Sequence, residues 1–88
     1  MTREEFEDTA RREGYDDPKL VRFDPSSRSE THSHDKVSFV YVVEGEFILN
    51  TDGGAPRHGP GETCILPKNV NHAEEAGPDG ATILVARK

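Results

Sequence analysis

Hydrophobic residues in this chain fall into short runs that alternate with polar positions, a pattern with the period of a strand. Val37–Val43 and Glu46–Thr51 are crowded with β-branched and aromatic residues, which fit a pleated surface. Gly45 lies between these runs and predicts a hairpin turn, where positive φ is often needed. Asp52-Gly53-Gly54 predicts a second hairpin and Gly59-Pro60-Gly61 a third turn. Lys19–Asp24 reads as a strand ended by Pro25, and Thr63–Leu66 as a short apolar strand ended by Pro67. Ser26–Thr31 is a polar loop. His72–Ala76 and Ala81–Ala86 are the last strands, split by Gly77-Pro78-Asp79-Gly80. Short strands at this spacing, with Gly/Pro turns and no interior helix, predict an all-β sandwich or barrel.

The N-terminal segment follows a different rule. Thr2-Arg3-Glu4-Glu5 has the form of a capping box, with Thr2 as N-cap and Glu5 three residues on. Acidic residues occupy the first turns and Arg11-Arg12 the last, as the helix dipole prefers, and Gly14 can end the helix. Its apolar stripe is thin, mainly Phe6 and Ala10, so this helix is expected to be a short appendage or a dimer contact with a mostly solvated face.

Length and composition narrow the picture. At 88 residues the chain is expected to be one domain, with the helix in 1–14 and the β-structure in 19–88. Hydrophobic and charged residues are each 32%, so the core is modest, and a small sheet with edges to cover is expected to form a homodimer. The net charge is -6 and the eleven basic residues are scattered, which argues against nucleic acid as a partner. No apolar run is long enough to span a bilayer, so no membrane partner is expected. A single cysteine, Cys64, excludes an internal disulfide and suits a reducing, cytoplasmic setting.

The candidate chemistry lies in three histidines. His32 and His34 are two apart, so on an extended chain both imidazoles project to one side. His72 follows 38 residues after His34, just past a turn. Two imidazoles from one segment and a third from a distant strand are how a β-barrel can build a metal site in its mouth. Three neutral imidazoles suit Zn, Fe, Ni, Mn or Cu as a divalent ion. The alternative is a metal-free barrel that uses the histidines as polar pocket walls.

These residues carry a resemblance. His32-Ser33-His34, Ser38 and Gly45 resemble the first cupin motif, G-x5-H-x-H-x3–4-E-x6-G; Gly61, Pro67 and His72 resemble the second, G-x5-P-x-G-x2-H-x3-N. The chain is similar to small single-domain cupins of the RmlC-like superfamily over roughly Thr31 to Ala76. The resemblance implies a small antiparallel double-stranded β-helix, the cupin or jelly-roll barrel, usually dimeric, with a metal inside. It also places the Ser38, Val40 and Val42 face inside the barrel and Phe39 and Tyr41 outside. Four positions depart from the motifs. Ser38 stands where a glutamate ligand is expected, so a three-His/one-Glu set is not expected, and His32, His34 and His72 are left as the metal ligands with open coordination positions. Asn69 replaces a Gly after the proline, Ala76 replaces the final Asn, and Ser26 stands near the leading Gly of the first motif.

The other polar candidates receive blander assignments. His58 is expected to be an exposed turn residue, Asp35 to point away from His34, and Cys64 to behave as a small hydrophobe. Glu74 shares a strand face with His72 by parity and could serve as a base, but a solvated strand end is the expectation. A metal-binding cupin that acts on, or binds, a small polar molecule is the leading reading, with metal-dependent oxygenase, isomerase or lyase chemistry as the form an enzyme of this kind would take. A non-catalytic sensor of metal or metabolite and a metal-free structural dimer are the alternatives.

Overall fold

In a computed structural model describing residues 1–88, the chain is an antiparallel β-structure carrying one short helix. The elements are α1 (Arg3–Arg12), β1 (Lys19–Phe23), β2 (Ser38–Thr51), β3 (Arg57–His58), β4 (Thr63–Leu66) and β5 (His72–Arg87). The strands run in the order β1-β5-β2-β3, and β4 also pairs with β2. The long antiparallel pair β2–β5 is the spine, from Ser38 opposite Arg87 to Thr51 opposite His72.

Two expected turns do not turn the chain. Gly45 is no hairpin; β2 runs through it as one strand, with register shifts between Val42 and Glu44 and between Gly45 and Phe47. Gly77-Pro78-Asp79-Gly80 does not end a strand either; it bulges from β5 opposite Glu46, between the pairs Phe47–Ala76 and Gly45–Ala81. The reason is steric. Gly45 has φ +80, and a Cβ there would lie 2.1 Å from the Gly80 carbonyl oxygen, so the glycine lets two backbones touch rather than reverse one. The other turns are as expected. Thr51 and Gly54 exchange backbone hydrogen bonds of 2.8 and 3.1 Å, and β4 ends at Leu66, immediately before Pro67.

The bulges change which residues face inward. In β2 the interior set is even-numbered before Gly45 (Val40, Val42) and odd-numbered after it (Phe47, Leu49); in β5 it passes from Ala76 to Ala81, Ile83 and Val85. Both spine strands therefore switch parity at the same level, and their inner faces stay continuous. Val40, Val42, Phe47, Leu49, Ile83 and Val85 form the main core.

The opposite face of the sheet has its own cover. Phe6 and Ala10 of α1 pack against Phe39, Tyr41, Leu84 and Ala86, with Phe6 fully buried 4.6 Å from the Phe39 ring. The helix is thus an integral second layer, not an appendage. One large and one small contact suffice because they sit one turn apart on a ten-residue helix. The expected capping box is present: Glu5 N–H donates to Thr2 Oγ1 at 3.1 Å and Thr2 N–H to the Glu5 carboxylate at 2.7 Å.

Candidate metal centre

The histidine segment is extended but is not a strand of the sheet. His32 makes an isolated bridge to His72, with His32 N–H donating to the His72 carbonyl at 2.9 Å and His72 N–H returning 2.8 Å. Asn69 N–H then donates to the His34 carbonyl at 2.7 Å from a left-handed backbone, φ +63, which Asn tolerates better than most residues. These bonds tie the His32–His34 segment to the start of β5. The three imidazoles meet, with ring centroids 4.4 to 5.2 Å apart. His72 is buried, and His32 and His34 are partly open to solvent.

A fourth group joins them. Glu74 Oε1 lies 3.3 Å from His72 Nε2, 3.4 Å from His32 Nε2 and 3.8 Å from His34 Nε2. One donor atom from each of the four residues lies within 4.8 Å of all the others. The expectation that Ser38 rules out a three-His/one-Glu group is therefore wrong. The carboxylate comes from β5 instead of β2, because Glu74 is two residues past His72 and shares its inward face. That parity was legible in the sequence, and the error lay in reading Glu74 as a solvated strand end. Ser38 is buried and accepts a hydrogen bond from Arg87 Nε at 3.2 Å.

The hydrogen bonds fix where the protons are. His32 Nδ1 lies 2.7 Å from the Glu30 carbonyl and His72 Nδ1 lies 3.0 Å from the Val70 carbonyl. A carbonyl only accepts, so each Nδ1 carries a proton and each Nε2 faces the cluster, where His72 Nε2 lies within hydrogen-bond distance of Glu74 Oε1. His34 Nε2 is buried without a hydrogen-bond partner. Burial, chiefly, and then the positive charge of Arg87 and the two neighbouring histidines hold the His34 imidazole below its usual pKa, against the opposing pull of Glu74. Three imidazole nitrogens and a carboxylate oxygen thus converge on one point. A divalent cation there would replace any Nε2 protons, pair with the carboxylate and satisfy the unpartnered His34 nitrogen. Metal–ligand bonds of about 2.0–2.1 Å in a tetrahedral site put neighbouring donors about 3.4 Å apart, close to the 3.3–3.8 Å between Glu74 Oε1 and the three histidine nitrogens. The donor set fits a divalent transition metal.

The remaining candidates stand apart from this group. Asp35 is exposed, and His58 lies on β3 outside the cluster. Cys64 lines a cavity of about 70 Å³ beneath the cluster, where burial pushes its thiol up to about 11, so it is a neutral thiol rather than a thiolate. The polar lining of that cavity is Ser38, Glu74 and Arg87; the other walls are hydrophobic.

Comparisons with known proteins agree with this architecture. The family model described as Cupin domain matches residues 19–86. No curated protein matches the chain. Among solved structures, an RmlC-like cupin from Shewanella frigidimarina is 28% identical, with a TM-score of 0.71, over 81% of this chain and 63% of its own. KdgF from a Halomonas species is 28% identical, with a TM-score of 0.64, over 77% of this chain and 65% of its own. A Rhizobium leguminosarum protein of unknown function has a TM-score of 0.75 at 24% identity, over 81% of this chain and 67% of its own. The chain spans less than two-thirds of the Shewanella cupin and of KdgF.

Proposed function

The chain belongs to the cupin family, and from that premise we propose that it is a metal-binding cupin acting on, or binding, a small polar molecule. His32, His34, His72 and Glu74 would hold the divalent metal. The observation that carries this reading is the convergence of three imidazole nitrogens and one carboxylate oxygen, with the Nδ1 protons of His32 and His72 committed to backbone carbonyls. A metal held there supplies Lewis acidity to a bound oxygen group. The chain's own residues do the rest. The Glu30 and Val70 carbonyls lock the His32 and His72 rings in orientation, as outer partners of metal ligands do. Depression of the His34 pKa keeps that ring neutral and available near pH 7. The hydrophobic cavity walls limit water beside the centre.

Residues 1–88 act as one domain in this reading, within a reducing, cytoplasmic compartment. A second copy would cover Leu20 and Ile65, which are 50% and 59% exposed. They are cross-strand partners of Leu84 and Phe39, on the sheet face that carries α1. Light scattering at micromolar concentration checks the dimer, and a monomer there contradicts it.

Elemental analysis of tag-free protein purified without chelator, beside His34→Ala, tests the metal. About one equivalent in the wild type, lost in the variant, is expected. A wild type that stays empty after dialysis against each of Zn, Fe, Ni, Mn and Cu overturns the reading. The identity of the retained metal separates Fe-dependent oxygen chemistry from Zn-like Lewis acid chemistry.

A further inference from the structure

Arg87 is a cation in an unusual place. It is the direct cross-strand partner of Ser38 in the β2–β5 register, so its side chain shares the inward face with Ser38, Val40 and Val85. It is half-buried, lines the cavity beneath the histidine cluster, and spends Nε on Ser38 Oγ. Its terminal amino groups have no hydrogen-bond partner, and none of the chain's ion pairs includes it. Asp16, the acidic residue that reaches this end of β5, accepts from the Arg87 backbone N–H instead.

A half-buried guanidinium with no carboxylate partner has given up part of its hydration without an ion pair in return. Beside a dication the cost grows, because the two positive charges repel and Glu74 neutralises only part of the total. An anion placed between the cluster and Arg87 removes both penalties. A planar carboxylate matches the guanidinium fork, which the Nε bond to Ser38 holds in one orientation. The hydrophobic remainder of the cavity selects an organic acid over an inorganic anion. At about 70 Å³ the space is worth about two water molecules, so the acid is short, about two to three carbons, or leaves its tail at the mouth.

We propose that the Arg87–Ser38 pair is the carboxylate-binding subsite of this cupin, and that its ligand is a short-chain organic acid whose carboxylate lies between the histidine cluster and the Arg87 guanidinium. The proposal rests on the metal-binding reading for what faces the other side of the acid. Arg87 and Ser38 are themselves a site independent of any metal ligand, which lets the two ideas fail separately.

The test is calorimetric titration of propionate, propionamide and chloride into the 88-residue chain, dialysed against zinc, with zinc content measured on the same samples. Propionate is expected to bind at least about 10-fold more tightly than its uncharged isostere and than chloride. Arg87→Gln is expected to weaken propionate by about 10- to 100-fold, the scale of one charged hydrogen-bonded contact, with its zinc content unchanged. Arg87→Lys keeps the charge but loses the fork and falls between; with Ser38→Ala it supplies the comparison if the Gln variant does not fold. Equal binding of propionate and propionamide, equal binding of propionate and chloride, or undiminished propionate binding in the Arg87 variants overturns the proposal. If the wild type holds no zinc, Arg87-dependent propionate binding in that sample still supports the subsite, and its absence overturns it.

Discussion

Replacing Glu74 with Gln keeps the shape of the side chain and one oxygen but removes the charge that faces three imidazoles. In the wild type, zinc at 100 times its dissociation constant stabilises the folded state by about 2.7 kcal/mol. An 88-residue chain unfolds with an entropy of about 185 cal/mol/K, so this gain raises Tm by about 15 °C. Loss of one charged contact costs about 1.5–3 kcal/mol, which weakens zinc by about 10- to 150-fold. At the same zinc concentration the Gln variant then gains only about 0.3–1.4 kcal/mol, or about 2–8 °C. Zinc-free melts of both proteins set the baseline from which each rise is read. Differential scanning fluorimetry with and without zinc reads both values. A full rise of about 15 °C in Glu74→Gln removes the carboxylate from the centre.

Three further outcomes are expected. Phe6→Ala empties the contact of α1 with Phe39 and Tyr41 and should cost about 3–5 kcal/mol in urea unfolding; a loss below about 1 kcal/mol would mean the helix layer contributes little. Gly45→Ala combines a Cβ at φ +80 with an overlap against the Gly80 carbonyl, for a loss of about 2–5 kcal/mol; wild-type stability in the same unfolding experiment would contradict the close backbone approach. Cys64, held near pKa 11 from an ordinary 9.0, should react with iodoacetamide about 100-fold more slowly at pH 8 than an exposed thiol, and a rate equal to that of glutathione would disprove its burial. The same shift means that the unfolded chain gives up this proton first, so the Cys64 contribution to stability falls as pH rises from about 9 to about 11.

The fold was legible wherever local chemistry decides it. The capping box, the Asp52–Gly54 turn, the stop at Pro67 and the left-handed Asn69 are each set by residues within a few positions. Ser26 belongs with them: it stands near the leading Gly of the first motif and has φ +56, so the backbone requirement persists where the glycine does not. Gly45 and Gly77–Gly80 were misread because a turn and a bulge want the same residues, and only the distant partner strand distinguishes them. The role of Phe6 was hidden for a related reason, since its partners Phe39 and Leu84 lie far along the chain. At the candidate site, the spacing of His32, His34 and His72 was readable, and the structure gathers them as that spacing suggested. Glu74 was visible by parity but was undervalued beside the missing glutamate at Ser38. Arg87 gave no local signal, because its place depends on the register that sets it opposite Ser38.

The paired bulges also govern which changes of length this fold can absorb. Each spine strand is two rulers joined at one level, and the joint absorbs the odd step. Deleting one residue between the joint and the histidine end, at Ala73 for example, would pull His72 one position along β5 and turn its ring to the outer face, leaving the other half in register. Removing two residues would restore the facing but shorten the barrel by one pleat. Length changes in the sheet should therefore be tolerated in even steps along the strands, and in odd steps only inside the Gly77–Gly80 bulge, where no cross-strand partner keeps count.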